Sequence, residues 1–201
     1  MILSQERFRM LNVTRPDSMI FVGVDLGKKE NHSAIVVVER FEEMPEFTDV
    51  LRGKGMKTRY VVRQAERLPL GTEYRDVVAR VKQVVTGVLT KFGPCVLVVD
   101  ESGPGVPVVE MMREVGMGCT ILPYTITTGA KATGTSVPRA ELVTKLQLMM
   151  ERGELEIAAG CRDGEALGRE IEHLQLSGKA AGEQDDLVMA LALAIWRARA
   201  R

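Results

Sequence analysis

The segment from Cys95 to Asp100 constrains the fold more than any other part of the chain. It reads CVLVVD, five apolar residues in succession followed by an acid. A strand that is apolar at consecutive positions has both faces covered, as in the centre of a sheet between two layers of helices. The chain has 201 residues, of which 45% are hydrophobic, so it can bury one core of this kind. We therefore predict an α/β protein with this strand in the middle of its sheet.

Hydrophobic spacing predicts the elements on either side of this strand. Alternating or continuous apolar runs predict strands at 19–25, 33–40, about 58–68 and 119–124, with a short edge segment at 155–159. Apolar residues at helical spacing, together with proline starts and glycine ends, predict helices at about 72–92, within 102–116, and at about 138–153, 163–176 and 185–200.

These elements predict a mixed five-stranded central sheet, three antiparallel strands followed by parallel strands, flanked by helices. The polar segment 125–136, rich in glycine and threonine, is expected to be a loop. Residues 1–18 are expected to form an N-terminal linker segment, and residues 19–201 a single domain.

Composition excludes several kinds of site. Lys and Arg together number 27, as do Asp and Glu, so the net charge is zero and any contact with DNA must rest on local basic patches. The two histidines and three cysteines, with no CxxC pair, argue against a histidine-rich metal site, a zinc site and a disulfide framework. Any catalysis must therefore be carried by carboxylates.

The chain shows no sign of membrane insertion or export. No apolar run reaches the ~18 residues that a membrane span needs. The opening MILSQERFRML carries charges where a signal peptide would be apolar. We expect a cytoplasmic protein that does not contact a membrane.

Two aspartates end strands that are expected to be neighbours. Asp25 closes MIFVGVD, alternating with Ile20, Val22 and Val24, and Asp100 closes CVLVVD. If the two strands pair in parallel, both carboxylates lie at one carboxyl edge of the sheet, where open α/β sheets place their sites. They would repel each other unless a cation lay between them or one of them were protonated, and Mg²⁺ prefers such oxygen ligands. A turn role for Asp25, and a turn or capping role for Asp100, are the alternatives.

A third group of acids, EQDD at 183–186, opens the last predicted helix. Consecutive helical residues point about 100° apart, so one aspartate can cap the helix while the other faces the sheet edge. We assign Asp186 to the site and Asp185 mainly to capping, although capping could account for either.

Several basic residues are expected near the same edge, in loops or at helix starts. Phosphate contact is one role for them, and a solvated surface is the other. They are Lys28, Lys29, Lys131, Arg139 and Lys145.

From Phe21 to its end, the chain resembles the nuclease domains of bacteriophage large terminase subunits. The motifs that carry the resemblance follow one another in order: VGVDLGKKENHSAIVVVER, RLPLGTEYRDVVARV, VLVVDESGPGVPVVEMMREVG, VPRAELVTKLQLMMERGELEI and EQDDLVMALALAIWRA. The resemblance implies an RNase H-like fold, of the same superfamily as RuvC, and a metal-dependent endonuclease that cuts concatemeric viral DNA during packaging.

The resemblance also implies roles for individual residues. Asp25 matches the first-strand aspartate, Asp100 the fourth-strand acid and Asp186 the aspartate of the final helix. Asp25 would bridge two Mg²⁺ or Mn²⁺ ions about 3.5–4 Å apart, while each of the other two aspartates completes one site. Because E-x-x-D-L also looks like the end of RuvC-type resolvases, Glu183 and Asp185 are further candidate metal ligands.

The implied partners are double-stranded DNA and, in the bacterial host cell, a terminase ATPase domain, the small terminase subunit and the portal. No GxxxxGK[ST] motif occurs in the chain, so it is not expected to bind ATP tightly or to translocate DNA alone. The alternatives are a RuvC-like junction resolvase, an actin-like ATP-binding phosphotransferase, since VGVDLG resembles that first phosphate loop, and an inactive DNA-binding or assembly module of the same fold.

Overall fold

A computed structural model of the chain describes residues 17–27, 31–45, 47, 51, 53, 55–103, 105–177 and 184–200. Its strands are β1 (Met19–Asp25), β2 (Ala34–Glu43), β3 (Lys57–Arg67), β4 (Cys95–Asp100), β5 (Thr120–Thr127), β6 (Ser136–Pro138) and β7 (Leu155–Ile157). Its helices are α1 (Tyr74–Phe92), α2 (Gly105–Val115), α3 (Arg139–Glu151), α4 (Gly164–Ser177) and α5 (Asp186–Arg199).

The described strands form one sheet in the order β6-β5-β4-β1-β2-β3-β7. The hairpin partner β2 is antiparallel to both β1 and β3, whereas β4 pairs with β1 in parallel, as do β5 with β4 and β6 with β5. The central strand β4 therefore lies between β1 and β5, which explains why CVLVVD is apolar at consecutive positions.

Alternation along the strands divides the core into two layers. On β1, Ile20, Val22 and Val24 pack with the valines of α1 and with α2. Phe21, on the other face, belongs to the core that α3, α4 and α5 build. The domain is thus an α/β/α sandwich, and residues of the same parity on one strand share a helical layer.

Helix α5 is the most deeply buried helix of the fold. Eleven of its fourteen residues are buried, because it lies across the middle of the sheet and also contacts α3 and α4. An apolar stretch on all sides of a helix requires such a position. Among the described residues, no helix combines the length and the apolarity that crossing a bilayer would need.

The mixed α/β sandwich with an antiparallel start is confirmed, but the expected count of five strands is wrong. Two short strands, β6 and β7, extend the sheet at its two edges. The segment 125–136 is not a loop throughout, because β5 continues to Thr127 and β6 begins at Ser136. The edge segment expected at 155–159 is β7, left out of the expected count of five, whereas β6 was missed because hydrogen bonding to a neighbour, rather than an apolar pattern, defines so short a strand.

Gly23 of β1 permits the close approach of α5. A Cβ at this position would lie 1.9 Å from the backbone oxygen of Ala190, a distance that no side-chain movement can relieve. We expect Gly23→Ala to lower the free energy of unfolding by about 3 kcal/mol or more, because the helix must shift as a whole. Urea denaturation measures this change.

Gly87 provides the matched control. It lies within α1, and a Cβ there would meet nothing within 4 Å. Gly87→Ala should therefore stabilise the protein by about 0.5–1 kcal/mol. Equal effects of the two substitutions would contradict the proposed packing constraint.

Candidate active site

The aspartates that end β1 and β4 lie side by side. In the parallel pairing of these strands, Val24 is opposite Val99, so Asp25 and Asp100 follow at the same level. Both acids have the parity of Phe21 and Val98, which face α3, α4 and α5. Two carboxylates are thus brought to one carboxyl edge, on the helical layer that contains α5.

Asp186 reaches the same edge from α5. It is the first residue of the helix and is only 6% exposed. Since the helix passes Gly23 at Ala190, one turn further on, its start lies over the end of β1. The structure therefore brings together the three aspartates that the sequence singled out, from two strands and a helix far apart in the chain.

The raised pKa of Asp25 reflects how close the other two aspartates are. Burial raises this pKa well above its ordinary value, and the negative charges of Asp100 and Asp186 raise it further. Arg139 acts in the opposite direction. Asp25 is half-buried. Because the surrounding protein removes much of the water around its carboxylate, lost hydration is the largest cause of the raised pKa. The carboxylate is therefore held in a region that disfavours its charge.

The donor chemistry of this cluster fits a hard divalent cation. Carboxylate oxygens are the ligands that Mg²⁺ and Mn²⁺ prefer, and Oδ2 of Asp186 is buried without a hydrogen-bond partner among the described residues. Within that part of the chain, no group of three or more His, Cys, Asp or Glu side chains is placed so that it could hold a metal ion as it stands. The three aspartates supply oxygen donors at one edge of the sheet, close enough for Asp100 and Asp186 to influence Asp25 electrostatically.

Asp100 is oriented by the turn that follows β4. Its Oδ1 accepts hydrogen bonds from the backbone N–H of Ser102 at 2.8 Å and from the Ser102 hydroxyl at 2.5 Å. The Ser102 hydroxyl in turn accepts a bond from the N–H of Ile126 at 2.8 Å, which ties the turn to β5. The predicted turn role of Asp100 and its place beside Asp25 are thus compatible. Glu101 turns instead to Thr125, whose hydroxyl lies 3.3 Å from Oε1.

The capping role expected for the Asp185 side chain is wrong. Asp185 occupies the N-cap position of α5, but its side chain makes no capping hydrogen bond, and its φ of −132° and ψ of 18° depart from the usual cap conformation. Its Oδ2 forms a salt bridge with Nη2 of Arg139. The side chain is therefore drawn away from its own helix by a cation at the start of α3.

The cap of α5 comes from Glu170, which the sequence did not single out. Oε2 of Glu170, on α4, accepts a hydrogen bond from the backbone N–H of Val188 at 2.9 Å, and Oε1 pairs with Arg67 at the end of β3. Burial raises the pKa of Glu170 to about 7. No local pattern indicates this role, because capping from another helix depends on tertiary packing.

His32 is a further neighbour of the cluster. Its Nδ1 donates a hydrogen bond of 2.7 Å to the carbonyl of Leu68, since a carbonyl can only accept. Burial raises the pKa of Asp186, while Arg67 and then His32 lower it. Arg67 at the end of β3 and His32 just before β2 are thus basic groups close to Asp186.

The predicted basic residues are not all at this edge. Arg139 is, because α3 begins directly after β6 and its guanidinium pairs with Asp185. Lys131 lies exposed in the β5–β6 connection. Lys28, Lys29 and the candidate ligand Glu183 lie outside the described residues.

Placing Lys145 near the same edge was wrong. Its ammonium lies 3.4 Å from the ring centroid of Trp196 and 3.3 Å from Glu141. Trp196 follows Asp186 by ten residues on α5, which is about 15 Å along a helix axis. Lys145 therefore covers the opposite end of α5.

The fold and this geometry can be compared with known proteins. No family model matches the chain. In an alignment 189 positions long that covers 90% of the chain, it is 25% identical to the large terminase subunits of Thermus virus P23-45 and of Thermus phage G20c. The chain spans about a third of the length of these relatives, 32% of each.

Solved structures agree with the sequence relatives. The large terminase nuclease from thermophilic phage G20c, solved with bound zinc, superimposes with a TM-score of 0.55 at 24% identity, covering 91% of this chain and 83% of the other. The chain has the terminase nuclease fold. The human cytomegalovirus terminase nuclease domain, soaked with Mn, superimposes with a TM-score of 0.56 at 13% identity, covering 98% of this chain and 95% of the other. The terminase resemblance and the RNase H-like fold expected from it are confirmed.

Stability of this terminase nuclease fold should depend on pH through the acid cluster. Folding raises the pKa values of Asp25 and Glu170 above their unfolded values. Their ionised forms therefore destabilise the metal-free fold at high pH, and this cost falls as the pH drops through the folded pKa values. For Glu170 the window runs from about 7 down to 4.5.

We expect Asp25→Asn to be more resistant to urea than the wild type in EDTA at about pH 8, because an amide carries no charge to desolvate. The difference should narrow as the pH is lowered towards 5. Glu172→Gln, a change at an exposed position on α4, should leave stability unchanged throughout. If the difference in urea resistance between Asp25→Asn and the wild type did not vary with pH, the charge of Asp25 would not be its cause.

Proposed function

We propose that this chain is a divalent-cation-dependent endonuclease that hydrolyses DNA phosphodiester bonds, as a terminase nuclease domain does. The observation that carries the proposal is the meeting of Asp25, Asp100 and Asp186 at one edge of a terminase nuclease fold. Carboxylates that repel one another, as Asp100 and Asp186 repel Asp25, weaken a protein that has no cation to bind. Their presence in an otherwise well-packed domain is best explained if they bind a cation that takes part in hydrolysis.

Asp25, Asp100 and Asp186 would hold two cations, Mg²⁺ or Mn²⁺, through their carboxylate oxygens. When bound, such cations stabilise the negative charge that develops on a phosphodiester during hydrolysis. Ser102 keeps Oδ1 of Asp100 in one orientation through two hydrogen bonds. Asp185 and Glu183 are proposed only as secondary ligands, because the Asp185 side chain pairs with Arg139.

DNA would approach from the side of α3 and the β5–β6 connection. Arg139 is half-buried at the acid cluster, and Lys131 is exposed nearby in the chain. A guanidinium held by Asp185 is oriented before DNA arrives, which favours contact with a backbone phosphate next to the bond that is cut. Double-stranded DNA is the proposed substrate, and concatemeric phage DNA its proposed source during packaging in the host cytoplasm.

The larger assembly is also part of the proposal. The relatives of this chain are about three times its length, so a terminase ATPase domain, a small terminase subunit and a portal are proposed partners. Cleavage by the isolated chain tests the nuclease role without them.

The decisive experiment measures conversion of supercoiled plasmid with Mg²⁺, with Mn²⁺ and with EDTA. We expect cleavage only with a cation, and a loss of at least about 100-fold on replacing Asp25, Asp100 or Asp186 with Asn, because each change removes a cation ligand. Glu101→Gln is the matched control, since Glu101 adjoins Asp100 but turns to Thr125. Thermal melts confirm that each variant folds. A folded wild type that leaves the plasmid intact with both cations would falsify the proposal.

A second experiment separates the basic residues by their distance from the site. Anisotropy of a labelled duplex, measured with Ca²⁺ over a range of salt concentrations, gives affinity without cleavage. We expect Arg139→Ala to weaken binding and to reduce the salt dependence by about one phosphate contact. Lys145→Ala should change affinity by less than about twofold, since Lys145 packs on Trp196 at the far end of α5. The reverse ranking would place the DNA path elsewhere.

A further inference from the structure

Glu170 uses both of its carboxylate oxygens, although it lies outside the trio of aspartates. It is 9% exposed. Oε2 accepts the hydrogen bond from the N–H of Val188, the third residue of α5, and Oε1 pairs with Nη2 of Arg67. One side chain thus satisfies a free amide at the helix start and neutralises a neighbouring guanidinium.

The guanidinium of Arg67 is close to both Glu170 and Asp186. Of these two carboxylates, it is hydrogen-bonded only to Glu170. Its backbone N–H donates to Oδ2 of Asp163 at 2.8 Å, which anchors the end of β3. Its Nε lies 3.8 Å from Oδ2 of Asp186, too far for a hydrogen bond. Both of these atoms are buried, and neither has a hydrogen-bond partner in the part of the chain that the structure describes.

This arrangement sets up a competition for Arg67. A guanidinium that moved by about 1 Å towards Asp186 would gain a charge-assisted hydrogen bond from Nε. The same movement would cover the oxygen that a cation needs and would neutralise Asp186. The carboxylate of Glu170 opposes it, because its ion pair with Nη2 holds the guanidinium in place.

We infer that Glu170 is a positioning residue, which holds Arg67 away from Asp186 and fixes the start of α5, so that Oδ2 of Asp186 stays available to a divalent cation. The inference rests on the proposed function, since it assigns Asp186 to cation binding. Glu170 itself does not contact the cation or the DNA in this scheme.

Titration calorimetry with Mn²⁺ alone tests the inference on the full chain, at about pH 8. Glu170→Gln keeps an oxygen for the N–H of Val188 but loses the charge that holds Arg67. We expect it to fold and to bind Mn²⁺ about tenfold more weakly than the wild type, as loss of a residue that supports a ligand typically does. The double variant Arg67→Gln with Glu170→Gln should recover to within about threefold of the wild type, because no guanidinium competes for Asp186. Glu172→Gln, exposed on the same helix, is the control with unchanged binding.

Two results would overturn the proposed competition between Arg67 and the cation for Asp186. One is a wild-type Mn²⁺ affinity in Glu170→Gln, and the other is a double variant that binds Mn²⁺ no more tightly than Glu170→Gln. If Glu170 had a purely structural role, the double variant would bind Mn²⁺ no better than Glu170→Gln, because loss of Arg67 as well would disturb the fold further. Absence of Mn²⁺ binding by the folded wild type would overturn the proposed cation site, and with it this role of Glu170.

Amide hydrogen exchange of the metal-free protein tests the cap independently of any cation. Glu170→Ala should accelerate exchange at Val188, whereas Glu170→Gln should not. Equal exchange in the two variants would overturn the capping contact while leaving the nuclease proposal intact.

Discussion

The packing of α5 against β1 at Gly23 is the constraint on which the rest of the structure depends. The helix backbone lies so close that the space a Cβ would need is occupied by the oxygen of Ala190. This contact determines both the height of α5 above the sheet and the position of its first residue. Asp186 therefore lies over the end of β1, where Asp25 and Asp100 already meet. A looser contact would leave three acids in the fold without a common site.

Bringing acids together in a partly buried place requires compensating charges. The structure supplies two arginines, and each is held by a carboxylate outside the trio: Arg67 by Glu170 and Arg139 by Asp185. Buried charges are tolerated only when they are paired. Because these outer carboxylates occupy the guanidinium groups, the positive charge moderates the repulsion at the centre without covering it. In the proposed function, such a site accepts a cation and, through Arg139, a phosphate.

Local patterns predicted much of this domain. Apolar alternation and helical spacing located the main strands and helices, since a buried face leaves the same period wherever it packs. The positions of Asp25 and Asp100 followed from the parallel pairing of two strands, because the sequence showed that each strand ends at its aspartate. The roles of Glu170 and Arg67 could not be predicted, because these residues pair across 103 positions of the chain. Lys145 was misplaced because helical spacing does not reveal which end of α3 lies beside the acids.

The amino-acid sequence by itself determined the sandwich, its central strand and the three strand-end or helix-start aspartates, because each is encoded by residues near one another in the chain. Only the tertiary structure decided how the charges are paired. Asp185 was equally able to cap its helix, and Glu170 carried no signal among the acids of α4. Which carboxylate caps α5, which arginine it holds and which oxygen stays free depend on distances between elements, and packing alone sets those distances.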